Sequence, residues 1–295
     1  LALLAEDEEA VRRAQEDAGR FAAWEDGPAW RPQAGAPLTL TAGPAAPEPP
    51  EATNALSVEY ARGPIAHASI APSCAVAQWA GEALTVWTHS QGVYPLRDQI
   101  ARVLGLPAGR VRAVHVPGAG CYGHNGADDA ALDAALVARE RPGRPVRVQW
   151  SREDELSRAP FGAPQRARVE AALGPGGRVE RWRMTVLSAP HAQRPGFGGH
   201  VNLTSAEALD PALAPAAAED LPPAAGGGAS RNALALYAFP QEARVAIEPV
   251  PFRTSSLRSL GAHLNVVAIE GAMDELAAMA GADPVAFRRA HLDDP

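Results

Sequence analysis

Apolar residues recur along this chain with two different periods, and the period changes where glycine or proline interrupts it. From Glu6 to Trp24, Val11, Ala14, Ala18, Phe21 and Ala22 share one side of a 3.6-residue repeat and charges the other, which predicts a helix. Leu1–Ala5 before it read as the end of a strand, so the chain reads as a piece of a longer polypeptide. Residues 27–55, rich in Pro, Ala and Glu, predict a surface connection. The pattern sharpens from Leu56. Ala83–Trp87 predicts a strand, and Pro95–Leu104 a helix with Leu96, Ile100, Val103 and Leu104 inward and Gly105 past its end. Strand 111–116, helix 128–140 and strand 145–150 follow. Gln165–Leu173 and Arg178–Ser188 alternate in character around Gly174-Pro-Gly-Gly177 and predict a hairpin. Residues 206–229 lose all periodicity and read as a linker. Arg244–Val250 predicts a strand, and Val266–Ala280 a helix with Val266, Ile269, Met273, Leu276 and Ala277 inward and Gly281 after it. Asp283-Pro284 then caps a last helix.

This order of strands and helices predicts an α/β (mixed α+β) fold. It also places two loops, 88–92 and 118–126, each after a strand and before a helix. Such carboxyl-end crevices are where open α/β sheets bind ligands, and the helix N-termini there offer free N–H groups to an anion. The second loop, Gly118-Ala-Gly-Cys-Tyr-Gly-His-Asn-Gly126, carries an aromatic, a thiol and an imidazole among its glycines. Gly118, Gly120 and Gly123 match the dinucleotide fingerprint G-x-G-x-x-G. An NAD(P)- or FAD-binding Rossmann-type dehydrogenase domain, with Glu153 or Asp154 as ribose-binding acid, is therefore an alternative. It requires a tight turn running straight into the helix and parallel pairing of strands 111–116 and 145–150. The bulk of Tyr122, and His124-Asn125-Gly126 ahead of a cap at Asp128, argue against it.

Net charge −7 and a pI near 5.6, with no basic stripe, argue against a nucleic-acid surface. No apolar run is long enough to cross a bilayer. There is no lysine; all 27 basic residues are arginine, a coding bias that warns against reading function into each one. Cys74 and Cys121 are too few for a disulfide framework and read as free thiols in a reducing compartment. Of His67, Cys74, Cys121 and His124, only Cys121-x-x-His124 has zinc-ligand spacing, so packed thiols are preferred to a zinc site. Arg231, Arg253 and Arg258 lie near glycines or hydroxyls and could hold a phosphate by fork geometry, against surface pairing with the abundant acids. Asp274 and Glu275 read as a solvated or cap-pairing helix face. No carboxylate pair and no Ser/His/Asp set stands at an interpretable spacing.

Several segments in order resemble the molybdenum-binding subunit of the xanthine dehydrogenase/aldehyde oxidase family, in its nicotinate dehydrogenase and isoquinoline 1-oxidoreductase branch. They are Ala66-His-Ala-Ser-Ile-Ala-Pro-Ser-Cys-Ala75, Val86-Trp-Thr-His-Ser-Gln91, Gly118 to Asp129, Pro145 to Asp154, Arg253-Thr-Ser-Ser-Leu-Arg-Ser-Leu-Gly261, Met273-Asp-Glu-Leu-Ala277 and Asp283-Pro-Val-Ala-Phe-Arg288. The resemblance implies residues 1–25 ending a preceding small domain and 26–55 a linker. It divides a molybdenum-cofactor-binding domain into 56–205 and 230–295, with 206–229 between. It implies hydroxylation of an N-heteroaromatic or an aldehyde with oxygen from water. The cofactor implied is molybdenum–molybdopterin or its cytosine dinucleotide form, with iron–sulfur clusters on a small 2Fe-2S partner subunit and a cytochrome or flavin subunit as a further acceptor. By position, Gln91 matches the glutamine that bonds an oxygen ligand of molybdenum. Gly120, Tyr122 and Gly123 match the Gly-Gly-Gly-Phe-Gly loop, with Tyr122 walling the substrate. Leu257-Arg258-Ser259-Leu260-Gly261 matches the Phe-Arg-Gly-x-Gly segment, so that Arg258 and Gly261 border the cofactor and Leu260 the substrate. Tyr122 departs from Phe, Ser259 from Gly, Leu264 from a common Gln, and Gly126 stands where purine-oxidising members carry an acid, against purine specificity. The family's general base, a glutamate near the C-terminus of the full subunit, falls outside these residues, so the chain alone is not expected to turn over. A cytoplasmic location is expected, with the periplasm after folded export as the alternative. A non-catalytic relict of the domain is a further reading.

Overall fold

The structure, a computed structural model, describes residues 38–43, 54–213 and 219–293. The expected helix at 6–24, the strand end at 1–5 and the domain end at 1–25 lie outside them. The described chain opens with β1 (Leu38–Ala42) and β2 (Ala55–Arg62), then a hairpin of β3 (Cys74–Ala80) and β4 (Ala83–Thr88). Next come α1 (Val93–Leu104), β5 (Val111–His115), α2 (Ala127–Arg139), β6 (Val146–Gln149), α3 (Arg152–Arg158) and β7 (Phe161–Gly162). The hairpin of β8 (Gln165–Leu173) and β9 (Val179–Ser188) leads to α4 (Thr204–Leu209) and β10 (Gln241–Ile247). β11 (Thr254–Ser255), α5 (Ala262–Met279) and α6 (Pro284–Ala290) complete it.

Two sheets carry two cores. In the first sheet, ordered β5-β4-β3-β6, β4 and β5 run parallel through the crossover helix α1 and the other pairs are antiparallel. Ala77, Val86, Leu96, Ile100, Leu132 and Ala135 form its core against α1 and α2. The small side chains of α2 let it bury almost its whole circumference, including Asp128, Asp129 and Asp133. The second sheet, β1-β10-β9-β8-β2, is antiparallel except for β9 and β10. Alternate residues Ala167, Val169 and Ala171 face inward with Trp182 and Met184, against Leu264, Met273 and Leu276 of α5. Burying each large side chain in these cores contributes roughly 1.5–3 kcal/mol. The parallel pair β7–β11 joins segments ninety residues apart and delivers the chain to the turn at 256–261.

The mixed fold and the hairpin agree with the sequence pattern, and four local readings are corrected. The 26–55 connection holds β1, an edge strand on β10. The 206–229 linker overlaps α4 and, from residue 219, a segment folded against the rest. β10 starts three residues before the expected strand, because Gln241, Ala243 and Val245 are its inward positions. Val266 is exposed, since α5 turns Leu264, Asn265, Ala268 and Ile269 inward. Glu153 and Asp154 belong to α3, where Ser151 and Asp154 make a reciprocal capping box. β5 and β6 sit at opposite edges of their sheet, and α2 starts at Ala127, past Gly123. This topology overturns the dinucleotide-binding alternative.

Candidate functional site at three converging turns

The turns at 88–92, 118–126 and 253–261 are in contact. Gln91 Nε2 donates to Cys121 Sγ at 3.0 Å, tying the first turn to the second. The second and third are joined by main chain: His124 N donates to Ser256 O at 2.7 Å and Arg258 N to Tyr122 O at 2.7 Å, around the bridge Gly123–Leu257. In this antiparallel pairing the N–H and C=O of the central residue point away from the partner strand. Gly123 N–H is thus left free for a ligand. Only glycine fits there: its φ is +134°, and a Cβ would lie 2.0 Å from Ser256 O. Tyr122 itself has φ +55°, and Ser259 and Leu260 also have positive φ, at +77° and +53°. Each such non-glycine residue costs about 1–3 kcal/mol, and such strain clusters at functional sites.

Behind the turns lies a buried polar brace. His124 Nδ1 stands 2.8 Å from Ser255 Oγ and His124 Nε2 2.8 Å from Asp128 Oδ2. The order Ser255–His124–Asp128 is that of a hydrolytic triad, but Ser255 is fully buried and His124 and Asp128 nearly so, so no substrate reaches the hydroxyl. Its role is to lock β11 to α2. His67 adds a second lock, with Nε2 2.9 Å from Ser256 O and Nδ1 3.1 Å from Pro160 O. Burial pushes the His67 pKa down. Asn125, not Asp128, caps α2: its Oδ1 accepts from Ala127 N, while its Nδ2 donates to Ser69 Oγ. The zinc-spaced pair is therefore committed elsewhere, His124 to the brace and Cys121 to Gln91, and no metal-holding His/Cys/Asp/Glu cluster occurs among the described residues. Cys74 and Cys121 are both free and half-buried.

Asp128 makes the brace acid-labile. Burial raises its carboxyl pKa, but His124, the Ser90 hydroxyl and Arg194 outweigh burial and hold it below the ordinary carboxylate value. A pKa lower in the folded than in the unfolded chain gives stability that is present at neutral pH. It is lost as pH falls through the carboxylate range. The urea midpoint of the wild type is expected to drop more steeply than that of Asp128→Asn between about pH 5 and about pH 3. Parallel pH profiles for the two proteins would reject this role.

Gly261 packs on the 219–231 segment, where a Cβ would lie 2.6 Å from Gly228 O and Ala229 O. Asp220 organises that segment, accepting from His191 N at 2.9 Å and Ala229 N at 2.7 Å. Gly120 has φ +101° and faces the Tyr122 ring. Gln91, Tyr122 and Arg258 are exposed, whereas Leu260 is buried, so Tyr122 alone of the two expected wall residues faces solvent. The turns thus meet at an open face. The groove of about 270 Å³ along β6, lined by Val137, Val146, Val148 and Trp150, contains none of these residues.

Of the three arginines considered for phosphate, Arg253 is consumed internally, bonding Asp129 Oδ1 at 2.9 Å and Asn202 O at 2.8 Å. Arg231 bonds Gly226 O rather than an acid. Arg258 makes no side-chain hydrogen bond or ion pair among the described residues. Asp274 pairs with Arg288 at 2.7 Å. The sequence reading missed Arg194, whose Nη2 is 3.4 Å from Gln91 Oε1 across 103 positions. No local pattern announces it.

Gln91, Gly123 N–H, Arg194 and Arg258 make the exposed polar set a set of neutral or cationic donors. The acid nearest in sequence, Asp128, is buried behind them. Such a set, with a glycine where any side chain would collide with backbone, fits an anionic, oxygen-rich group such as a molybdenum–pterin. The fold and the site define a cofactor-binding domain of the molybdenum hydroxylase type. Residues 34–210 match the molybdopterin cofactor-binding domain family, and the chain belongs to it. One of the two subunits named for nicotinate dehydrogenase in Pseudomonas putida is 35% identical over 231 residues, 78% of this chain and 18% of that protein. The beta subunit of isoquinoline 1-oxidoreductase from Brevundimonas diminuta is 30% identical over 232 residues, 77% of this chain and 27% of that protein. The chain thus spans between 18% and 27% of the length of these two relatives. Quinoline 2-oxidoreductase from Pseudomonas putida 86 shares the fold, with TM-score 0.65 at 17% identity, over 93% of this chain and 33% of that one. No helix among the described residues is long and apolar enough to cross a membrane.

Proposed function

We propose that this chain is part of the catalytic subunit of a molybdenum hydroxylase acting on an N-heteroaromatic or aldehyde substrate. The observation that carries the reading is the interlock of three sequence-distant turns around Gly123, with the Gln91 amide and the Tyr122 ring on the same exposed face. The bound molybdenum–molybdopterin, in its plain or cytosine dinucleotide form, supplies the two-electron redox chemistry. Gln91 keeps one amide hydrogen free beside its bond to Cys121 and offers it to an anionic oxygen. Gly123 presents its unpaired N–H from the adjoining turn, and Gly120 and Gly261 let backbone approach closely. The Tyr122 ring walls the substrate. Electrons leave to a 2Fe-2S partner subunit and onward to a cytochrome or flavin acceptor. Proton abstraction falls to a glutamate outside these residues, so turnover belongs to the whole subunit, in the cytoplasm or, after folded export, the periplasm.

The test is the full-length subunit purified with its partners. About one molybdenum per subunit is expected, with 18O from labelled water in the product. Gln91→Ala is expected to lower kcat by about 10- to 100-fold, a loss of the size that single donor removals give. Active enzyme without molybdenum, or product oxygen drawn from O2, would refute the reading.

A further inference from the structure

We propose that Arg194 binds an anionic oxygen group, carboxylate or phosphate, of the ligand held at the three converging turns. The inference rests on the proposed function of that site and adds a residue that no motif in the chain marks. The Arg194 main chain is pinned: its N donates to Ala192 O at 2.6 Å, and the buried Asn202, at φ +52°, donates Nδ2 to Arg194 O at 2.7 Å. Its side chain reaches Gln91, and a Cβ on Gly92 would lie 3.9 Å from Nη2, which places the guanidinium beside the first turn.

A guanidinium has five donors, and only the long bond to Gln91 Oε1 engages them among the described residues. Nearby arginines are satisfied differently: Arg253 by Asp129, and Arg152 by Glu155 at 2.7 Å. The one acid that feels the Arg194 charge is Asp128, which is buried and already held by His124. The Arg194 charge therefore faces outward uncompensated, next to the free hydrogen of Gln91. Convergent donors with a planar fork suit a carboxylate or phosphate oxygen pair. The carboxylate would belong to the substrate and the phosphate to the pterin. The two sources predict different losses.

The experiment uses the full-length subunit with its partners, wild type, Arg194→Met and Arg194→Lys. Three quantities are measured: molybdenum and pterin content, KM and kcat for a pyridine carboxylate and its carboxamide, and calorimetric binding of benzoate, benzamide and inorganic phosphate. If the group is a substrate carboxylate, Arg194→Met raises KM for the carboxylate about 10- to 100-fold, as expected for loss of a charged hydrogen-bond pair. The carboxamide KM, kcat and molybdenum content stay unchanged, benzoate binding weakens and benzamide binding does not. If the group is a cofactor phosphate, molybdenum and pterin content and phosphate binding fall instead, and the KM ratio of the remaining loaded enzyme is preserved. In either case Arg194→Lys recovers part of the loss, which a packing defect would not allow. Unchanged content, KM ratio and probe binding in Arg194→Met overturn the inference, as does an equal loss for charged and neutral probes. Wild type without molybdenum overturns the reading of the site, while the phosphate and benzoate titrations still decide the role of Arg194.

Discussion

Gly123→Ala is expected to abolish cofactor retention and to destabilise the fold by about 3 kcal/mol or more, the range of severe backbone and overpacking defects. Two penalties coincide at this position. The residue holds φ +134°, where L side chains are strained, and the new Cβ would meet Ser256 O at 2.0 Å, Ser256 C at 2.8 Å and Leu257 Cα at 3.1 Å. All three are backbone atoms. Ser256 O cannot swing aside, because it accepts from His124 N and lies 2.9 Å from His67 Nε2. Relief therefore requires opening the bridge that presents Gly123 N–H. Gly105→Ala is the control. Gly105 also has a positive φ, +66°, but nothing lies within 4 Å of its Cβ, so only the conformational cost of about 1 kcal/mol is expected. Urea midpoints and molybdenum per chain for both variants check the contrast. A Gly123→Ala protein as stable and as metal-loaded as wild type would mean that the turns do not meet as described.

The site was partly legible in the sequence because its turns are locally encoded. The apolar stretch of β4, the polar 88–92 segment and the stripe of α1 place Gln91 at a strand end. Three glycines around Tyr122 announce a backbone that ordinary residues cannot follow. The contact among the turns is a different matter, since it depends on pairings such as β7 with β11 that no periodicity reveals. The same limit explains the missed elements. β2 and β3 are short, and β1 is an edge strand fixed only by its pairing with β10. Residues 219–229 carry no repeat because their order comes from the Asp220 carboxylate, not from an amphipathic face. The dinucleotide fingerprint shows the converse error. Its glycines match, but the mixed sheet separates the strands it would need. Arginines were the least legible, as a fork that holds a ligand and one that holds a buried acid look alike in sequence.

Arg253 separates those two roles, and its removal is expected to cost about 3–5 kcal/mol, the penalty for stranding a buried charge. Asp129 is fully buried on α2, where Oδ1 accepts from Arg253 Nη1 at 2.9 Å and Thr204 N at 2.8 Å. Asp129 Oδ2 has no partner among the described residues. Arg253 further bonds Asn202 O and the Thr204 hydroxyl, so one side chain ties the start of the 253–261 turn to α2 and to the approach to α4. Arg253→Met leaves the carboxylate without its counter-charge in a site that water does not reach. Asp129→Asn should relieve much of that cost, because the amide oxygen still accepts from Thr204 N and no charge remains to desolvate. The double variant is therefore expected to be more stable than Arg253→Met alone, with a coupling of about 1–3 kcal/mol in a double-mutant cycle on urea midpoints. Hydrogen exchange should also quicken at His124 N and Arg258 N in Arg253→Met, since the third turn loses its anchor. Additive effects, or a cost under about 1 kcal/mol, would return Arg253 to the pool of arginines free to hold a phosphate.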